Sequence, residues 1–598
     1  MTGDSLTSID RAQARASRQW LAWLNRMRYQ WLQPTALLGL LLLLILGAMV
    51  VVPLVYLVAT TVNGSGLAVW QQVLLSELAP NLFWRPLMNT LAIGVLVALG
   101  TVILGGYLAW LVVMTDVPGR AFIGLLASIP FALPTFAIAL AWETIFRNDR
   151  IGGQAGLLFD LGINVPDWLA WGFVPIVLTL IAHYFSLAFL LISAALASVN
   201  TELLEAAEMT GATRARVLRD ITLPVVFPAI LSSGLLAFAE GVSNFASPAL
   251  LGLPVRFHTI STRLYGSIQT GQTERGFVLT ILLIVIAAVV LWSSTRIVSS
   301  RRSYTTITGK GARRRRQRLR ALRWPAFGVA LAICMATTIV PGLALLLSSF
   351  AQRTGSLSGG LTTHYWFGES NPSFAQGQPG IFHNEQIIEA TWNTLLLGLL
   401  VALVATLLGL MIGYVVVRGR NRSISSAVGL LSYLPFLIPG VALGAVYIAQ
   451  FGRPIGPFPA LYGTFALLVI AGAAATLPFA AQSGRSAMSQ VAGELEEAAT
   501  MIGANFVRRL GRIFLPLTIR GLLAGAVLVF VNMTRDLSLV VLLVTPTTPL
   551  LSVLAFRYAS EGFAQFAYAI TMIIAIISVT ATILARRAQG LAQPWNER

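Results

Sequence analysis

Two short stretches set polar and ionisable side chains among apolar neighbours. "FAEGVSNFASPALLG" (238–252) carries Glu240, Ser243 and Asn244, and "FVNMTRDLSLVVLLV" (530–544) carries Asn532, Arg535 and Asp536. An offset of 292 residues sets Glu240 opposite Asn532, Ser243 opposite Arg535 and Asn244 opposite Asp536. Charge is expensive at membrane depth, so such groups either line a pathway for a polar cargo or pair with one another and hold two segments together. Oxygen-bearing side chains suit a hard cation passed through water, and Asn and Glu would equally bind an organic solute. No residues with the spacing needed for catalysis accompany them. There is no HExxH and no clustering of His with carboxylates on one segment. His183, His258, His364 and His383 have no metal-ligand spacing, and the single cysteine, Cys334, lies in an apolar run. The nearest approach to a phosphate-binding loop, "TGKGARRRR" (308–316), lacks the upstream glycine and the Ser or Thr after the lysine. No catalytic or metal-binding residue is expected in this chain.

The elements that must position these groups are membrane spans. Of the 598 residues 56% are hydrophobic and only 11% charged. Runs such as "ALLGLLLLLILGAMVVVPLVYLVA" (36–59) exceed the roughly 20 residues that cross a bilayer core. Twelve spans are expected, near 35–61, 87–115, 121–144, 171–199, 225–252 and 277–299, then 325–349, 391–417, 424–450, 462–484, 517–545 and 566–585. The fold class is all-α. The formal net charge of +18 would suit nucleic acid, but the arginines cluster beside spans, in 1–34, 300–324 and 586–598. That placement marks the cytoplasmic side and contact with anionic lipid. About thirty polar, basic residues precede a first apolar run too long for a cleaved signal, so a retained first span with a cytoplasmic N-terminus is expected. The domains read as a basic segment 1–34, a transmembrane domain 35–299, an Arg-rich linker 300–324, a second transmembrane domain 325–585 and a cytoplasmic tail 586–598.

The two transmembrane domains are copies. "NTLAIGVLVALGTVILGGYLAW" (89–110) aligns with "NTLLLGLLVALVATLLGLMIGY" (393–414), setting Gly94 opposite Gly398 and Gly105 opposite Gly409. Pro130 and Pro134 face Pro435 and Pro439, pairs that would kink or end a span. Six spans per copy give both the same orientation, as in parallel repeats.

Within each copy a charged, alanine-rich hairpin interrupts the apolar pattern. In the first, Glu205, Ala206 and Ala207 belong to a short helix, Gly211 supplies a left-handed end and Thr213 caps a second helix. Pro224 closes the element. Glu497, Ala498, Ala499, Gly503, Asn505 and Pro516 repeat this spacing. Both hairpins fall on the expected cytoplasmic side, where small alanines permit close approach and flanking charges fix orientation. They read as docking elements.

Glu-Ala-Ala, three residues, Gly, then Ile-x-Leu-Pro resembles the EAA loop of binding-protein-dependent ABC importer permeases, and the similarity extends over about 85–295 and 390–585. Two fused domains are similar to the ferric-iron permeases, as is "SNFASPALLGLPVRFHTISTRLY" (243–265). The resemblance implies that Glu205, Ala206, Ala207, Gly211 and Pro224, with Glu497, Ala498, Ala499, Gly503 and Pro516, couple the spans to separate ATPase subunits, in two copies. Those subunits would hold ATP and Mg, leaving this chain without a cofactor. An extracytoplasmic solute-binding protein would deliver the cargo. Ferric iron leads as cargo; thiamine, aminoethylphosphonate or polyamine are alternatives. An ion-coupled secondary transporter shares the span count and the repeats but has no need of the hairpins.

Overall fold

The computed structural model describes residues 33–64, 66–152, 155–199, 206–207, 209–299, 317–372, 375–454 and 459–589. The basic segment 1–32, the linker core 300–316, Glu205 and the tail from 590 onward lie outside them.

Ten described helices are long and apolar enough to cross a membrane, and two bent helix pairs raise the total to as many as twelve. The bent pairs fall at the spans expected at 121–144 and 424–450. Arg120–Ala132 and Thr135–Phe146 meet at 100°, and Arg422–Leu437 and Gly440–Phe451 at 106°. Each break falls at the second proline of its pair, Pro134 or Pro439, both with extended ψ near 140°. Proline lacks the N–H that would continue the ladder and biases the residue before it away from helix; Leu133 accordingly takes ψ 154°.

The spans expected at 225–252 and 517–545 are shorter in the structure. They end as helices at Ser243 and Arg535. Asn244 Oδ1 accepts the Ser247 N–H at 3.0 Å and Asp536 Oδ1 accepts the Leu539 N–H at 3.2 Å. The same side-chain-to-backbone turn thus stops both copies. Helices Ile260–Gln269 and Leu551–Ser560 follow in stretches between the expected spans. They are mounted identically. Thr90 Oγ1 accepts the Ile260 N–H at 3.1 Å while Asn89 Nδ2 donates to the His258 carbonyl at 2.9 Å. Thr394 accepts from Leu551 at 3.0 Å and Asn393 donates to the Pro549 carbonyl at 3.2 Å.

Contacts divide the chain into two compact units. One comprises Met1–Pro53, Val401–Phe436 and Ala473–Val529; the other comprises Leu54–Leu400, Leu437–Gly472 and Phe530–Arg598. In the first, Ala36, Leu42 and Leu46 of the opening helix pack on Ile412, Val415, Ile424 and Val428 of the second half. In the second, Ala330 and Cys334 join a core with Leu108, Val112, Ile123 and Phe189 of the first half. Each half therefore lends the start of its opening span to the other half's core.

Two close crossings recur. A Cβ on Gly105 would lie 2.6 Å from the Phe185 carbonyl oxygen, and one on Gly409 2.3 Å from that of Ala480. Leu99 and Ile103, and their repeat counterparts Leu403 and Leu407, are exposed on the same helices, the apolar outer face a bilayer would cover. The long connection 350–388 carries an antiparallel hairpin of Ala351–Arg353 and Ser356–Leu361. Trp366 anchors its base, stacking on Phe350 at 5.4 Å and donating to Ser349 Oγ at 3.0 Å.

Candidate functional site: twin hairpins and a buried polar cluster

The hairpins fold as their residue types dictate. Gly211 and Gly503 adopt φ of +81° and +77°, the left-handed region that glycine enters without strain. The chain then turns back: the Ala212 N–H donates to Ala207 O at 3.0 Å, and the Ala504 N–H to Ala499 O at 3.0 Å, closing each helix end. Asn505 Oδ1 accepts the Arg508 N–H at 2.9 Å, and Thr213 Oγ1 accepts the Arg216 N–H at a longer 3.4 Å. Both caps expected from the sequence form.

Pro224 and Pro516 behave differently from expectation. They do not separate hairpin from span. The chain stays helical through wide five-residue turns, Leu218–Thr222 and Leu510–Phe514, into Leu223–Ser243 and Leu515–Arg535. Each proline sits at the second position of its helix, and the widened turn before it accommodates the missing N–H. Leu218–Ser243 and Phe506–Arg535 are thus near-continuous rods of 26 and 30 residues.

The hairpin surfaces differ in depth. Ala499 is buried, Glu497 and Ala498 are exposed, and so is Ala206, with Ala207 partly covered. Apolar side chains project from the tips: Met209 is 88% exposed, and Met501, Ile502 and Val507 are 89%, 85% and 74% exposed. Met209 and Met501 are repeat counterparts, and methionine is well suited to an adaptable protein contact.

At the far end of the same rods, the structure assembles most of the polar residues singled out in the sequence. Arg535 Nη2 donates to Asn532 Oδ1 at 2.8 Å, Nη1 to the Leu133 carbonyl at 3.3 Å, and its guanidinium lies 4.9 Å from the Phe131 ring centre. A second-half arginine therefore satisfies a carbonyl exposed by the first-half break at Pro134. The Tyr184 hydroxyl donates to Glu240 Oε2 at 3.3 Å and accepts from Asn244 Nδ2 at 3.3 Å. Ser243 lies partly buried on the same helix end. Tyr184, and His183 edge-on to it at 4.8 Å, were not anticipated as members. Their signal was two polar rings interrupting the apolar run 173–197.

Near that end, a cavity of about 230 Å³ is lined by Tyr265, Gln269, Gln386, Phe556, Arg557 and Ser560, among others. Repeat-related Tyr265 and Phe556 meet at 6.5 Å, with Phe245 against both at 4.8 and 5.7 Å. Among the described residues, no group of three or more His, Cys, Asp or Glu could hold a metal ion.

The duplicated, helical, membrane-spanning architecture, with an apolar-tipped hairpin ahead of a rod in each copy, is that of a two-domain permease. The family model described as binding-protein-dependent transport system inner membrane component matches residues 101–303 and again 405–594, and the chain belongs to this family. It is 26% identical over 474 residues to the ferric transport system permease protein FbpB 1 of Haemophilus influenzae, covering 78% of this chain and 71% of that one. It is 25% identical over 505 residues to FbpB of Actinobacillus pleuropneumoniae, covering 82% and 69%. The 2-aminoethylphosphonate transport system permease protein PhnU of Salmonella typhimurium is 30% identical over 222 residues, covering 36% of this chain and 76% of that one. The protein is a multi-pass ABC importer permease, and the ion-coupled carrier reading is set aside.

Proposed function

We propose that this chain forms the translocation pathway for ferric iron delivered by a solute-binding protein. Two ATPase subunits, which hold ATP and Mg, drive it from the cytoplasm. The observation that carries the reading is the continuity of each hairpin with a spanning rod whose opposite end reaches the polar cluster. Force applied at Glu205–Ala206–Ala207 or Glu497–Ala498–Ala499 moves the ends that bear Glu240, Ser243 and Asn244, or Asn532, Arg535 and Asp536. The hairpins, both termini and the Arg-rich linker 300–324 face the cytoplasm, in keeping with the basic flanks. Similarity to ferric permeases over more than two thirds of each chain supports iron. An aminoethylphosphonate cargo is the second reading, favoured by PhnU and by the arginine in the cavity wall. Co-purification tests the coupling: Glu205→Arg and Glu497→Arg should each reduce ATPase association, and unchanged association in the double variant rejects it. Uptake of radioactive ferric iron into proteoliposomes with the cognate binding protein tests the cargo.

A further inference from the structure

Glu496, one residue before the Glu-Ala-Ala of the second hairpin, is not on the exposed docking face. Its carboxylate accepts the Tyr414 hydroxyl at 2.6 Å and lies 3.6 Å from Arg509 Nη1 and 3.9 Å from Arg418 Nε. Glu496, Arg418 and Arg509 side chains are all under 20% exposed. Arg418 also donates to the Val491 carbonyl, in the connection leading into the hairpin, and Arg509 to Thr500 Oγ1. One carboxylate thus joins both arms of the hairpin, through Glu496 and Arg509, to the end of the spanning helix Glu385–Arg418. Beneath it, Tyr414 packs on Phe506 and Phe514 at 5.3 and 5.4 Å.

The repeat-related positions of the first half are Trp110, Met114, Leu204 and Val217. None can form an ion pair. The node therefore has no charged counterpart at the equivalent positions of the first copy.

We propose that Glu496 is a positioning residue that locks the second coupling hairpin to the Glu385–Arg418 helix, making the two hairpins mechanically unequal. The proposal rests on the coupling reading above. A partly buried carboxylate between two guanidinium groups resists separation because pulling it away leaves like charges facing each other. Displacement of the second hairpin is therefore shared at once by two spans, Glu385–Arg418 and the rod beginning at Phe506. In the first copy this linkage has no charged counterpart.

The test uses the full chain with its ATPase subunits in proteoliposomes. ATP hydrolysis is read with and without the cognate binding protein, beside ATPase co-purification and the melting temperature. Glu496→Gln keeps an acceptor for Tyr414 and removes the charge; Arg418→Gln removes the link from the span side. Each should assemble with ATPase at wild-type yield yet lose stimulation by the binding protein about tenfold, within the range by which residues on a coupling route alter it. Because both act through one node, the double variant should be no worse than either single change. Wild-type stimulation in both single variants overturns the proposal, as does a lowered melting temperature with the stimulation ratio intact. Glu497→Arg separates the two claims. If it leaves ATPase association unchanged, the docking reading fails. If it breaks association while Glu496→Gln retains full stimulation, only the node fails.

Discussion

The two halves agree where backbone must be held and diverge where charge is placed. Asn89–Thr90 and Asn393–Thr394 make the same two contacts to the helices that follow the rods. Asn244 and Asp536 make the same turn. One residue earlier on each rod, the likeness ends. Arg535 reaches across to Leu133 and Phe131, and its counterpart is Ser243, which has neither the length nor the charge. The two copies share the scaffold, and only the second places a cation, Arg535, at this helix end.

The comparison predicts paired effects for scaffold residues and one-sided effects for the charged ones. The largest should come from the close crossings. Gly105→Val and Gly409→Val each drive a side chain into backbone 2.3–2.6 Å from the first added carbon. Overpacking of this kind costs about 1–3 kcal/mol or more, so both should sharply reduce the folded fraction seen by size-exclusion chromatography. A large loss in one half only would break the equivalence. Next, Arg535→Ala removes the donor to Asn532 Oδ1 and to the Leu133 carbonyl at the Pro134 break, a loss of about 1–3 kcal/mol. It should abolish uptake and lower the melting temperature, while Ser243→Ala leaves both near wild type. Comparable losses from the two would show that the asymmetry has no functional weight.

Smaller and again symmetric, Thr90→Val and Thr394→Val each leave one buried backbone N–H unsatisfied, at about 1–3 kcal/mol. Thermal unfolding in detergent should report similar decrements for both. Smallest in stability are Met209→Ser and Met501→Ser at the exposed tips, expected within about 0.5 kcal/mol of wild type. Their effect should appear instead as weaker ATPase co-purification.

Much of this was legible in the sequence because it depends on local residue chemistry. Gly211 and Gly503 announced left-handed helix ends, Thr213 and Asn505 announced caps, and the proline pairs announced breaks. The register of the repeat brought Glu240, Asn532, Arg535 and Asp536 into correspondence. What stayed hidden depends on packing between segments distant in the chain. The exchange of opening helices leaves no local mark, because Leu42 and Leu46 suit any apolar surface. Helices Ile260–Gln269 and Leu551–Ser560 are short and only partly apolar, and they are held by Asn–Thr pairs about 160 residues away. Pro224 and Pro516 looked like terminators, since the wide turn that absorbs each of them has no sequence signature of its own.

The central claim is that both hairpins seat an ATPase and pass its movement to the rods. Single cysteines at Met209 and Met501, with Cys334 replaced by Ser, test it by cross-linking to the ATPase subunits in the assembled complex, with and without ATP. Efficient cross-links from both tips, with yields that change on nucleotide binding, are predicted. Efficient cross-links from control cysteines elsewhere in the complex, with none from either tip, would contradict the account.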